Sequence, residues 1–363
     1  MNEKYWVAFS SDEEQNSVFI RTLYEHFGDI KKAYEASRSE LNKISGLSSK
    51  HIAHFMEMRD KIDIDRTYDE VIKRNISILT FEDKRYPELL KNIYNPPMVI
   101  YYKGELFSCN FDKTLAIVGS RRMSYNAASA LKKIISGLSD IVIVSGLAAG
   151  VDTAAHGYAI DYGLKTIGVI ASGFDFIYPA SNKQLYEEII DGKGAVITEY
   201  YPTFEPLKFR FPQRNRIVSG LSHGTIVVEA ALKSGALITA NLTLEQGREL
   251  MCIPGLITNP NTEGIYKLIK SGAAIVTEPE DVFYALNWQN VKQGKLFTEK
   301  IIDENNLTID EKKILYTIDI EPKSFDEIQK EAGLSVDSLL TVLTALELKG
   351  KVEQTIGDRY KKR

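Results

Sequence analysis

The chain has 363 residues, enough for two or three domains. Its 44% hydrophobic and 26% charged content is ordinary for a globular protein and excludes collagen, coiled-coil and disordered classes. With a formal charge of -4 the chain is not basic throughout, so any nucleic-acid site must be a local basic patch. Two cysteines, Cys109 and Cys252, give neither metal spacing nor a disulfide framework, which fits a reducing compartment. No signal-peptide pattern opens the sequence, and no run reaches the roughly 18 apolar residues of a membrane span. A cytoplasmic protein with no membrane partner is the expectation.

Residues 1–65 carry apolar side chains at helical spacing, Val18, Ile20, Leu23, Tyr24 and Phe27, then Leu41, Ile44, Leu47, Ile52 and Phe55, and predict a small all-α domain. Ile44-Ser45-Gly46-Leu47-Ser48 looks like the turn of a helix-hairpin-helix or SAM-like module, in which glycine lets backbone amides approach a phosphate. Ser48 at the second small position, with Glu40 and Glu57 nearby, favours packing over DNA contact.

Residues 66–287 predict an extended Rossmann-like core. Between 66 and 112 it is a connection marked by Tyr86-Pro87 and Asn95-Pro96-Pro97, with one short strand at Met98–Tyr102. Apolar runs then follow at Leu115–Val118, Ile141–Val144, Thr166–Ile170, Ala195–Thr198, Thr225–Val228, Leu250–Ile253 and Ala274–Val276. Helical segments intervene, notably Ala127–Leu138, Thr153–Tyr162 and Ala236–Leu250. Continuous apolar strands alternating with helices specify an α/β fold, a doubly wound and mostly parallel sheet covered on both faces.

A polar stretch at 288–302 predicts a linker. Residues 303–363 read as a winged-helix domain: helices at Asp310–Thr317, Ser324–Ala332 and onward through Leu348, then Gly350, Val352 and Ile356 for a wing. This segment holds 10 Lys and Arg against 13 Asp and Glu, with the basic residues crowded at Lys349, Lys351, Arg359, Lys361, Lys362 and Arg363. DNA binding and protein binding stay equally open for it.

In a doubly wound sheet, ligands gather at the carboxyl ends of the strands. Gly119-Ser120-Arg121-Arg122 and Ser145-Gly146 sit at such ends, where small residues admit a phosphate to backbone amides and guanidinium groups suit it. The segment Leu207–Arg216 packs Lys208, Arg210, Arg214 and Arg216 with Phe209 and Phe211. Cations neutralise phosphates, and an exposed ring stacks an unpaired base. No G-x-x-x-x-G-K-[ST] or G-x-G-x-x-G motif follows a core strand, so no nucleotide cofactor and no metal are expected. His156 near Asp152, and the strand-ending Glu199 and Glu229, form no catalytic constellation.

The blocks LAIVGSRR (115–122), VSGLAAGVDTAAH (144–156), FRFPQRNRIVSGLSHGTIVVEA (209–230), SGALITANLTLEQGREL (234–250) and IPG (253–255), with YPELLKNIYNPPMVIYYKG (86–104) upstream, closely resemble the DprA (Smf) family of DNA-processing proteins. The resemblance implies a non-enzymatic protein that binds single-stranded DNA, dimerises through the α/β core and helps load RecA recombinase during natural transformation. It places the DNA pocket at Gly119, Ser120, Arg121, Lys208, Phe211, Arg214, Asn215 and Arg216. Apolar surface around Ile265–Val276 is the candidate dimer surface. The alternative is a nucleotide-processing enzyme similar to nucleoside-monophosphate phosphoribohydrolases, with Glu229 and Arg216 acting on the substrate.

Overall fold

Runs of Val and Ile bounded by turn residues form strands: β1 (Ser77–Thr80), β2 (Val99–Gly104), β3 (Thr114–Val118), β4 (Val142–Ser145), β5 (Thr166–Val169), β6 (Gly194–Thr198), β7 (Gly224–Val227), β8 (Glu249–Cys252) and β9 (Ala274–Ile275). Among the described residues these nine make one sheet, in the order β1-β2-β6-β5-β4-β3-β7-β8-β9. Pairings from β6 through to β9 are parallel, while β1 and β2 add on antiparallel. This computed structural model describes residues 2–13, 17–288, 307–318, 322–349, 351–355 and 359–362. Nearly all of the expected linker, and Gly350, Ile356 and Arg363 of the expected wing and tail, lie outside them.

The central parallel strands are buried on both sides because both faces are covered. Ala116, Val118, Val144, Ile167 and Val227 pack to one face with Ile217 and Val218. Leu115, Ile117, Ile143 and Ile226 pack to the other with Leu131, Ile134 and Ala155. The doubly wound expectation therefore holds. Between 66 and 112, expected as a connection with one strand, the chain also forms β1, and the helix Ile64–Lys73 runs into this region. β1 is four residues with a single side chain facing solvent, too short for a period to show. The helix expected over Ala236–Leu250 ends at Glu245, because Gly247 turns with φ +67° and Glu249 begins β8.

The N-terminal region is helical as expected. Helices Arg38–Leu41 and Ser49–Arg59 flank the Gly46 turn, where φ is +89°, a value that favours glycine. Ser48 caps the second helix by accepting from His51 N. The chain divides into two compact units, Met1–Asn290 and Val291–Arg363. The second holds helices Ile309–Thr317, Phe325–Ala332 and Val336–Leu348 with β10 (Lys323–Ser324), β11 (Val352–Thr355) and β12 (Arg359–Lys362). Its own apolar core includes Ile314, Ile328, Leu339 and Leu343. This is the expected winged-helix arrangement.

Candidate nucleic-acid interface

From β3 the chain winds outward through β4, β5 and β6, then returns to lay β7, β8 and β9 on the other side of β3. The winding therefore reverses between β3 and β7, and a crevice opens at the carboxyl ends of the strands there. A cavity of about 810 Å³ occupies this place.

The helix Arg210–Gly220 forms one wall. Phe211, Arg214, Asn215 and Val218 line the cavity, and their spacing of i, i+3, i+4 and i+7 is one helical face. The turn after β3 brings Gly119, Ser120 and Arg121, and the turn after β4 brings Gly146 and Ala148. Tyr178, Lys208, Lys233 and the start of the helix Gly235–Glu245 complete the lining.

Arg121, Lys208 and Lys233 are exposed, and none pairs with a carboxylate among the described residues. Phe211 is half-buried. The Arg121 guanidinium lies 5.4 Å from its ring centroid, within cation–π range. The Tyr178 ring meets it edge-on at 5.5 Å. Two aromatic rings and three unpaired cations thus share one open cavity.

Arg214 lies in the cavity floor rather than in solvent. It is 4% exposed; Nη1 donates to Gly146 O at 2.5 Å and to Val169 O, and Nε donates to Asn215 Oδ1 at 3.2 Å. Burial lowers its pKa to about 10. Asp152 lies beside it, accepting from Gly146 N at 3.1 Å, and burial raises its pKa to about 6. A Cβ on Gly146 would meet Arg214 Nη2 at 2.6 Å, so this glycine makes room for the arginine.

Ser145 is buried and donates to Ile117 O at 2.6 Å, tying β4 to β3. Ser120 Oγ accepts from Arg122 N at 3.1 Å and holds the turn. Arg122 is exposed and lies outside the cavity lining. Arg216 lies on the opposite face of its helix, in a bidentate pair with Glu199 at 2.6 Å on both arms. Of the eleven site residues expected from sequence, the fold gathers Gly119, Ser120, Arg121, Gly146, Lys208, Phe211, Arg214 and Asn215, and leaves out Arg122, Ser145 and Arg216. Tyr178 and Lys233 also line the cavity; the sequence signal for Tyr178 is the aromatic run Phe174-Asp175-Phe176-Ile177-Tyr178, which carries no basic residue, and that for Lys233 is Ser234-Gly235 after it, a turn into a helix.

The groups weighed for catalysis are tied up. Burial, then the neighbouring Arg214 charge, pushes the His156 pKa down to about 3. Its Nδ1 lies 2.6 Å from Thr166 Oγ1. That hydroxyl already donates to Ile143 O at 2.8 Å, so Nδ1 carries the hydrogen and Nε2 is bare and unpartnered. Glu229 accepts from Ser124 N and Asn259 Nδ2, each at 3.0 Å. Burial raises the Cys109 and Cys252 thiols to about 12. No described helix is long and apolar enough to cross a membrane.

Comparison with known proteins follows the same division. Residues 77–287 match the family model of DNA recombination-mediator protein A, and 303–358 match the DprA winged helix domain. A DNA processing protein DprA from Streptococcus pneumoniae is 45% identical over 232 residues, covering 63% of this chain and 80% of its own. A protein Smf from Synechocystis is 31% identical over 99% of both chains. The crystal structure of the S. pneumoniae DprA superposes with a TM-score of 0.69 at 37% identity, over 77% of this chain and 97% of that one. A Helicobacter pylori DprA structure, described for its single-stranded DNA binding mode, gives 0.53 at 29% identity over 59% and 96%.

Proposed function

This chain belongs to the DNA recombination-mediator protein A (DprA/Smf) family, and from that premise we propose that it binds single-stranded DNA in the cavity beside β3, without catalysis. The observation that carries the reading is the combination of three unpaired cations with the Phe211–Tyr178 ring pair in one open cavity. Arg121, Lys208 and Lys233 take phosphates; Phe211 offers a ring to a base, a sequence-tolerant contact available where bases are unpaired. Arg214, Ser145 and Gly146 shape the cavity, and Arg216 braces the helix from behind.

Protection of incoming strands, loading of a RecA-type recombinase during natural transformation and pairing of two copies through the α/β core extend the proposal. Support for these comes from the family likeness. The half-exposed Ile275 on edge strand β9 is an apolar contact open to a second copy, while Ile265, Leu268 and Val276 are buried.

The test is nuclease protection and gel-shift of a single-stranded oligomer with the wild-type chain, Arg121→Glu and Lys208→Glu. The wild type retards and protects the strand, and each charge reversal weakens both at moderate salt. Release of free base from nucleoside monophosphates, with no retardation of DNA, would replace this reading with the hydrolase one.

A further inference from the structure

We infer that the start of the Arg210–Gly220 helix carries a second nucleobase site on its other side, with Phe209 as the stacking platform. This rests on the single-strand reading of the first cavity. A separate cleft of about 320 Å³ lies here, lined by Asn95, Tyr200, Phe209 and Arg216 of the core together with Asp12 and Ser17 of the helical region.

Phe209 is 56% exposed, yet it is held in place. The Arg210 guanidinium, 2% exposed, lies 5.6 Å from its ring centroid. Arg210 is itself fixed by Glu13 Oε1 at 2.9 Å and by Glu205 O. One face of the ring therefore rests on an immobile cation, and a ring already ordered loses little entropy when a base stacks on it.

The charges of the cleft select the ligand. Glu199 is paired with Arg216, Glu13 with Arg210 and Asp12 with His54 at 2.7 Å. Both arginines of the cleft are already held by carboxylates, so no phosphate is drawn in, and the open ring of Phe209 favours a flat aromatic ligand. Asn95, which lines the cleft, has its Oδ1 buried without a hydrogen-bond partner among the described residues. Stacking on an open ring is sequence-tolerant, because every base has a π-face.

The two sites are continuous along the chain. Lys208 lines the first cavity and Phe209 the second. Phe209 and Phe211 flank Arg210 and, two residues apart at a helix start, point to opposite sides. A strand with one base on Phe211 and its backbone at Lys208 passes around the helix start and delivers a base further along the strand to Phe209, beyond the reach of a dinucleotide.

The experiment compares dT oligomers from a dinucleotide to a 20-mer on the wild type, Phe209→Ala, Phe209→Leu and Phe211→Ala. Phe209→Ala and Phe209→Leu are expected to weaken the 20-mer by roughly 5- to 150-fold, the range for one lost base stack, and to leave the shortest oligomers at wild-type affinity. Phe211→Ala weakens every length. Phe209→Trp retains affinity, and its added emission is quenched by the 20-mer. Wild-type binding of the 20-mer by both Phe209→Ala and Phe209→Leu, alongside weakened Phe211→Ala, would overturn this inference and spare the first cavity. Failure of the wild type to bind any oligomer would overturn both.

Discussion

The cavity beside β3 and the winged-helix unit both display basic residues, but differently. In the cavity, Arg121, Lys208 and Lys233 have no carboxylate partner among the described residues and share the space with Phe211 and Tyr178. In the winged-helix unit the third helix, Val336–Leu348, which in DNA-reading relatives of this arrangement enters the major groove, contains no Lys or Arg and carries Asp337 and Glu347. Its exposed face includes Leu340 at 48%. Lys349 is paired with Glu311 at 2.8 Å and Lys361 with Glu353 at 2.8 Å. Counting basic residues misjudges both regions. The cavity sets unpartnered cations beside a ring, whereas Lys349 and Lys361 of the winged-helix unit are already neutralised by carboxylates.

Removing the floor of the cavity should do the most damage. Arg214→Ala orphans the carbonyls of Gly146 and Val169 and leaves Asp152 without its cation. Loss of a buried charged partner costs about 3–5 kcal/mol, so the variant is expected to unfold at markedly lower denaturant and to lose DNA binding with its fold. Wild-type stability would show that the buried arginine does not hold the cavity together.

Arg121→Glu acts on the ligand instead. Losing one charged hydrogen bond is worth about 1.5–3 kcal/mol, roughly a 10- to 150-fold loss of single-strand affinity, with a shallower salt slope by about 1 and unchanged melting. Phe211→Ala is expected to lose roughly 5- to 150-fold as well, but with the salt slope unaltered, since no phosphate contact is removed. Parallel titrations at several salt concentrations separate the two. Identical slopes for both variants would remove the division of labour between cation and ring.

A pH effect on stability comes from the same neighbourhood. His156 has a folded-state pKa near 3, below its unfolded value, so the folded state binds fewer protons between about pH 6.5 and about pH 3. Stability present at neutral pH is therefore lost as pH falls through that window. Asp152, raised to about 6, opposes this between about pH 6 and about pH 4, because its protonation favours the folded state. His156→Asn keeps a donor towards Thr166 and removes the titration. Its melting temperature should fall less than the wild type's between about pH 7.5 and about pH 5; an equal fall would show that other groups control acid stability. The smallest effect is expected from deleting residues 291–363, a unit with its own core: single-strand affinity is about unchanged. A large loss would move the DNA contact into the winged helix.

Much of this was legible in the sequence. The parallel strands announced themselves because burial on both faces leaves continuous apolar runs, whereas β1, at the antiparallel end of the sheet and four residues long, did not. The basic–aromatic segment 207–216 was visible as a cluster, but not which residues face the cavity. That division follows from helical period: Phe211, Arg214 and Asn215 on one face, Arg210, Gln213 and Arg216 on the other. Applied to the segment, the 3.6-residue repeat separates Arg216 from the rest. The fate of Arg214 was not readable, because its partners are carbonyls at Gly146 and Val169, 68 and 45 residues away in the chain.

Selection of single strands by a locally basic cavity in a mildly acidic chain is read out by fluorescence anisotropy. A labelled oligo-dT and its duplex with oligo-dA are titrated with the full chain at about 50 mM and about 200 mM salt. Tighter binding of the single strand, weakened by salt and still clearly preferred over the duplex at the higher concentration, is the predicted result. Equal affinity for the two forms would contradict it, because a site built around a ring for an unpaired base cannot treat a closed duplex alike.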